Sequence, residues 1–352
     1  MIMPDRIASI PAGGARLKIL LLLVLLGLGL ACWLAWRDFQ RFADTPLALQ
    51  EAELIDFPRG ASFSSIVDEL RSRQFSNEPQ VYWKLLSRQM QIASRLQAGE
   101  YRLEPGTTPR QLMSMLAQGK VVQHHFTIVE GWTFRQLRLA LAREAGLNQE
   151  LPGLDAATVA HRLGIETDNP EGWFLPETYA WVRGDSDLGV LRHAHEAMQR
   201  ALEQRWPGRD PGVPVKSIYE ALILASIVEK ETGVDSERAQ IAGVFARRMQ
   251  IGMLLQTDPS VVYGLGETYD GNIRRRDLDT DTPYNTYTRG GLPPTPIALP
   301  GLAAIDAVLH PAAGNALYFV ALGDGSGRHE FSNSLDEHNR AVRRYLIRRK
   351  QQ

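Results

Sequence analysis

The stretch SIYEALILASIVEKETG, residues 217–233, decides how the chain is read. Ser217 followed three residues later by Glu220 is the signature of a capping box, which starts a helix by satisfying its free N–H groups. Residues 221–228 are almost wholly apolar, so the spacing predicts a helix buried nearly all round. Glu229, Lys230 and Glu231 come next, and Thr232 with Gly233 ends the helix. A carboxylate in the last turn, directly after a buried run, meets two effects of the same sign. Desolvation disfavours its charged form, and so does the negative end of the helix dipole. Both raise its pKa, which is what a general acid needs near neutral pH. The plain alternative is that Glu229 turns outward into water.

With 352 residues the chain has room for two folded units plus appendages. A hydrophobic fraction of 44% and a charged fraction of 22% are those of an ordinary folded protein. A net charge of −1 gives no reason to expect nucleic acid as a partner. With Cys32 as the only cysteine, no internal disulfide forms and no cysteine-rich metal site exists.

Residues 19–36, ILLLLVLLGLGLACWLAW, are continuously apolar and long enough to span a bilayer. Trp33 and Trp36 close the run as interfacial aromatics do. Arg6, Arg16 and Lys18 precede it, while Arg37 and Arg41 after it are tempered by Asp38 and Asp44, so the basic bias puts the N-terminus inside. The expectation is a cytoplasmic tail at residues 1–18, a single-pass anchor at 19–36 and a polar, mildly helical linker at 37–54. A cleaved signal peptide is the competing reading, but no small-x-small site follows the run. A lipoprotein reading at Cys32 has a poor lead-in at Gly29 and Leu30.

A weak repeat follows the linker. Each unit has a short strand, a glycine turn, a Ser/Thr or Thr-Pro helix start, and apolar residues at helical spacing. The inward positions are Ile66, Val67 and Leu70 in the first, Leu112, Met115 and Leu116 in the second, and Leu137, Leu139 and Leu141, less cleanly, in the third. Residues 79–90 form a further helix between the first two. Paired strand-helix-helix-strand units of this size resemble the LysM module, a glycan-binding fold, over residues 55–127. A small α/β spacer with no ligand fits the same pattern.

EGWFLPETY at 171–179 reads as an aromatic-lined groove wall or as a core strand with an edge proline. Residues 188–206 form a helix, and Asp235 or Ser236 caps another whose buried face is Ile241, Val244, Phe245 and Met249. The polar-aromatic loops at 255–259 and 283–294 are too irregular for core. A short helix at 302–309 is followed by a hairpin, with strands at 317–322 and 329–332 around the glycine-rich turn 323–327. An amphipathic helix at 335–349 turns Leu335, Val342, Tyr345 and Leu346 inward.

Several chemistries are set aside. The sequence holds no Gly-x-Ser-x-Gly elbow, no P-loop and no His-Glu-x-x-His zinc helix. His310, His329 and His338 lack ligand spacing, so no metal and no cofactor is expected. Acid chemistry remains. Glycosidases of the ordinary kind use two carboxylates. A one-acid route also exists: a protonated Glu gives its proton to the glycosidic oxygen, then as carboxylate takes a proton from the substrate's own hydroxyl, which closes onto the anomeric carbon. No water is consumed, so such an enzyme is a lyase.

Taken in order, the anchor, the LysM-like region, EGWFLPETY (171–179), ASIVEKET (225–232), LQTDP (255–259), YNTY (284–287), GLPP (291–294), GRHEF (327–331) and His338-Asn339 resemble the MltG (YceG-like) family of endolytic murein transglycosylases. The resemblance implies an α+β architecture: one N-terminal transmembrane helix, the LysM-like module, and a mixed α/β catalytic domain at 128–352 whose buried central helix carries the catalytic Glu. It implies cleavage of nascent glycan strands between MurNAc and GlcNAc, leaving 1,6-anhydroMurNAc ends and terminating strand elongation. Glu229 carries over as general acid and base. Glu231, Gln256, Thr257, Asp258, Tyr284, Asn285, Thr286 and Tyr287 would line the cleft, with Trp173 and Phe174 packed near the groove. One departure is Glu177 before Thr178, where the family commonly has Asp. The implied location is the inner membrane with the catalytic domain periplasmic. The implied partners are peptidoglycan strands, the membrane through one helix, and wall synthases. Two alternatives stand beside this reading: a hydrolytic muramidase in which Asp258 or Glu231 activates water, and an anchored glycan-binding protein without turnover.

Overall fold

A computed structural model describes residues 13–92 and 94–350. The chain divides between Val122 and Gln123 into two compact units.

The first unit runs α1 (Gly13–Asp44), β1 (Glu53–Phe57), α2 (Phe63–Ser72), α3 (Gln80–Gln89), β2 (Gly99–Leu103) and α4 (Pro109–Gln118). Among the described residues one helix, Leu17–Asp44 within α1, is long and apolar enough to cross a membrane. The stretch expected to be a polar linker differs. α1 continues through it to Asp44, and Phe39, Phe42, Ala43 and Leu47 are buried in the core of this unit. Phe42 packs edge-on against Trp83 with ring centroids 5.1 Å apart. The polar residues between these apolar ones masked a helical face.

β1 and β2 pair antiparallel around α2 and α3, a strand-helix-helix-strand order. Ser62 caps α2, and Ile66, Val67 and Leu70 are buried as the spacing predicts. A full capping box from Thr108 to Gln111 starts α4. Its buried face is Leu112, Met113 and Leu116, so Met113 takes the place expected of Met115.

The second unit runs β3 (His124–Thr127), α5 (Phe134–Leu141), α6 (Ala156–Leu163), β4 (Thr178–Trp181), α7 (Asp187–Arg205), α8 (Ile218–Glu231), α9 (Asp235–Gln250), α10 (Asp258–Leu265), α11 (Arg275–Asp279), α12 (Leu302–Leu309), β5 (Tyr318–Ala321), β6 (His329–Ser332) and α13 (Leu335–Arg349). β3 pairs with β4 and β5 with β6, both antiparallel. α8 lies at the centre: residues 221–228 are all buried, and the cluster around them takes in Met198 from α7, Phe245 from α9 and Ile305 from α12. Burial of large apolar side chains of this kind contributes about 1.5–3 kcal/mol each.

Several local expectations are corrected. In α5 the inward face is Phe134, Leu137 and Leu141, while Leu139 is 55% exposed. A helix turns 100° per residue, so 137, 139 and 141 never shared one face. Ser217 does accept from the Glu220 N–H, but the Glu220 carboxyl accepts from the Lys216 N–H and leaves the box half made. α9 has Val234 at its N-cap, an apolar side chain that cannot cap, and Asp235, one position later, pairs with Arg238. Along α13 only Ala341 is buried, and Leu335 and Leu346 stay exposed. The 323–327 turn is a hairpin, as expected.

Candidate active site

α8 delivers Glu229 and Glu231 to its C-terminal turn. Two residues apart on a helix means about 200° apart in direction, and the two carboxyls enter different surroundings.

Glu229 has a side chain only 6% exposed. Its Oε2 accepts from the Gly301 N–H at 3.0 Å, just ahead of α12. Its Oε1 lies 3.9 Å from Nη2 of Arg238 on α9. Gly131 packs beside it, at a φ of +76° that favours glycine. The neighbouring Lys230 donates to the Gly131 carbonyl at 3.2 Å. Burial pushes the Glu229 carboxyl above the ordinary carboxylate range. The Gly301 N–H opposes this, the charge of Glu130 adds to it, and Arg238 and Lys230 oppose it. A shift in that direction is the one a general acid requires.

Glu231 faces the opposite way. It accepts from the hydroxyl of Thr257, which is itself 1% exposed. Burial pushes its pKa up to about 7; the Thr257 hydroxyl opposes, the nearby Asp258 charge adds, and Arg248 opposes. Most residues expected in the cleft gather on this side. The Tyr287 hydroxyl donates to Asp258. The Thr286 hydroxyl accepts from the Thr257 N–H at 3.0 Å and pairs with Ser260 at 2.9 Å. Gln256 is exposed at φ +49°, with its N–H on the Thr286 carbonyl.

Asn285 is fully buried. Its amide donates to the carbonyls of Leu278 and Thr280 at 2.9 and 2.7 Å, and its oxygen accepts from the Tyr287 N–H at 2.9 Å. Those bonds tie the 277–288 loop into one shape. Tyr284 packs on Tyr263 and pairs its hydroxyl with Thr295 at 2.9 Å.

Trp173 and Phe174 are not beside Glu229. Phe174 is fully buried and stacks on Phe134 at 5.5 Å. Trp173 stacks on Tyr219 at 5.9 Å and lines a cavity of about 630 Å³ with Trp206 and His195. Tyr219 opens α8, ten residues before Glu229, so this cavity sits about 15 Å away along the helix axis.

Glu171, read as part of a groove wall, is a buried acid. It accepts from the Phe134 N–H at 2.8 Å and the Tyr263 hydroxyl at 3.1 Å, and burial pushes its pKa up to about 7. A cavity of about 810 Å³ adjoins it, rimmed by Arg135, Arg138 and Asp168.

The sequence reading did not bring Glu130, Arg238 or Gly301 to Glu229. Glu130 and Gly131 were visible only as a repeated turn, and nothing in the local pattern set Arg238 apart from any other helix arginine. The histidines take other roles: His310 pairs with Asp210, His329 with Glu237, and His338 stacks on Tyr318.

The structure thus places a buried carboxyl with a raised pKa at the end of a core helix on a mixed α/β scaffold. The chain belongs to the YceG-like family, whose model matches residues 55–344. It is 30% identical over 309 residues to the endolytic murein transglycosylase of Bacillus subtilis (strain 168), covering 83% of this chain and 84% of that protein. It is 26% identical over 287 residues to the protein of the same name from Streptococcus pneumoniae serotype 2 (strain D39 / NCTC 7466), covering 71% of this chain and 51% of that one, about half the pneumococcal length. A crystal structure of a YceG-like protein from Listeria monocytogenes is 27% identical, with a TM-score of 0.49, covering 83% of this chain and 99% of that one.

Proposed function

We propose that the chain is an endolytic lytic transglycosylase of peptidoglycan, with Glu229 as its general acid and base. The observation that carries this is the setting of Glu229: a carboxyl buried on a core helix, with raised pKa, held by one backbone N–H and facing away from Glu231 and Asp258. Protonated Glu229 gives its proton to the oxygen of the bond between MurNAc and GlcNAc. The C–O bond breaks, the MurNAc 6-hydroxyl bonds to the anomeric carbon, and the Glu229 carboxylate takes that hydroxyl's proton. Atoms balance without water, and the acid is regenerated.

A hydrolytic route with Glu231 or Asp258 activating water is disfavoured. Glu231 is engaged by Thr257 and Asp258 by Tyr287, both on the other side of the helix. The names of the curated relatives support murein as the substrate and transglycosylation as the reaction. The remaining expected cleft residues, Gln256, Tyr284, Asn285, Thr286 and Tyr287, serve in this reading to hold the loop that borders the site. Trp173 would meet a glycan strand only well along its length from the cut.

The apolar helix supports single-pass anchoring, and the basic residues ahead of it support a cytoplasmic N-terminus; with the family this reading puts the anchor in the inner membrane and the catalytic unit in the periplasm. The strand-helix-helix-strand order of the first unit supports a LysM-like module at 55–127, ahead of a catalytic domain at 128–352. Growing strands as substrate make wall synthases the expected neighbours.

The test uses the full chain in detergent on uncrosslinked glycan strands, with products weighed. Fragments lighter by one water than reducing sugars, lost in Glu229→Gln, are expected. Reducing fragments would mean a hydrolase. Binding without cleavage would mean a glycan-binding protein.

A further inference from the structure

The backbone of residues 129–132 is clamped to the segment ahead of α12. The Gly131 N–H donates to the Leu299 carbonyl at 2.9 Å, and the Leu299 N–H donates to the Trp132 carbonyl at 2.7 Å. This pairing lays Glu130 against Gly301 so closely that a Cβ on Gly301 would come within 1.9 Å of Glu130 Oε1. The N–H of the same glycine holds Glu229. Gly301 therefore has Glu130 against its α-carbon and Glu229 on its amide.

Arg238 links the two acids. Its side chain is 9% exposed, and Nη2 lies 3.9 Å from both Glu130 Oε2 and Glu229 Oε1. Nη1 is taken by Asp235, and the buried Nε–H has no hydrogen-bond partner among the described residues. A distance of 3.9 Å is ion-pair range but not a hydrogen bond. The difference matters chemically. A bidentate guanidinium fork would pin Glu229 as an anion and spoil it as an acid. A guanidinium held off and divided between two carboxyls tolerates either charge state of Glu229. Burying an arginine with an unmet donor costs stability, and packing alone gives no return for it.

We propose that Glu130 and Arg238 are positioning residues for Glu229: the Arg238 guanidinium is divided between the Glu130 and Glu229 carboxyls, so that the Glu229 carboxyl is held over the Gly301 N–H without being locked into an ion pair. This rests on Glu229 being the general acid. The charged or titratable groups facing Glu229 are Lys230 on its own helix, Arg238 from α9 and Glu130 from the turn after β3; ahead of α12 it meets the Gly301 N–H. Glu130 favours the protonated form of Glu229 and Arg238 the ionised form, so removing either moves the proton equilibrium in opposite directions.

The experiment is the pH dependence of kcat/KM for the full chain in detergent on uncrosslinked glycan strands, comparing wild type, Glu130→Gln, Arg238→Gln and Glu229→Gln. The Glu130 side chain is 48% exposed, so its amide variant keeps the shape and loses only the charge. The basic limb of Glu130→Gln is expected to move down by about one pH unit, as one charge at this range in a partly solvated site would give. That of Arg238→Gln is expected to move up. If Glu229→Gln is inactive while the other two profiles superimpose on wild type, or move the same way, the positioning role is wrong and the general-acid role survives. If Glu229→Gln keeps wild-type activity, both fall. If Glu130→Gln abolishes a product that carries reducing ends, Glu130 activates water and the positioning role is wrong.

Discussion

Glu229 and Glu231 leave the same helix turn, and burial is the largest influence raising both. Their neighbours make them different. Glu231 is closed by the hydroxyl of Thr257, which is itself buried. Glu229 is held by one backbone N–H and has a guanidinium 3.9 Å away. A raised pKa alone therefore does not distinguish the two acids; the groups around each carboxyl do, a buried hydroxyl for Glu231 and a backbone N–H with a nearby guanidinium for Glu229. Glu171 sides with Glu231 here, sealed by the Phe134 N–H and the Tyr263 hydroxyl.

The largest test of this contrast is the pair of amide variants. Glu229→Gln is expected to lower kcat by about 10³-fold or more, within the range general acid–base catalysis supplies, while Glu231→Gln costs about 10-fold or less. Turnover lost in Glu231→Gln and kept in Glu229→Gln would exchange the two roles.

Gly301→Ala comes next. The added Cβ meets the end of the Glu130 side chain, which can swing away, so the fold persists while the shared guanidinium loses one acid. A drop in kcat/KM of roughly 10-fold is expected, with the basic limb displaced toward lower pH as in Glu130→Gln. A profile of unchanged shape would separate Glu130 from the proton equilibrium.

Stability against pH sharpens the other side. Glu171 is 3% exposed, and burial pushes its pKa up to about 7 in the folded state, above its ordinary value of 4.5. The folded state thus holds the proton more tightly than the unfolded one. Stability from this group is full below about 4.5 and is lost as pH rises toward 7 and beyond, by roughly 3 kcal/mol. Glu171→Gln is expected to remove that fall from unfolding curves at pH 4.5 and 8. Glu231→Gln should act in the same direction, because its folded pKa is also about 7. An undiminished fall in both variants would mean that neither acid is held protonated.

The smallest effect expected is that of Thr257→Val. Loss of the hydroxyl costs about 1–2 kcal/mol in stability and pushes the Glu231 pKa further up, since that hydroxyl favours the ionised form. Turnover should change by less than Glu231→Gln changes it. A loss as deep as that of Glu229→Gln would join the two sides into one catalytic unit.

Much of the scaffold was legible in the sequence because it is set by local pattern. Residues 221–228 are apolar and buried, the hairpin follows its glycine turn, and residues 335–349 form a helix between the expected ends. The apolar helix is equally plain. Inward faces were read less well where helices are short and mixed, as at Leu139 and Met113, because a slip of one residue moves a side chain by 100°. The candidate acid was also visible, since a carboxylate after a buried run announces its own desolvation. Its neighbours were not. Glu130, Arg238 and Gly301 lie far apart along the chain or look ordinary where they stand, and their charges act through space. The sequence by itself determined which helix is buried and that two acids end it. Only the tertiary structure decided which partners each acid meets, because a rotation of about 200° between them sends one toward Thr257 and the other toward the Glu130–Arg238 pair.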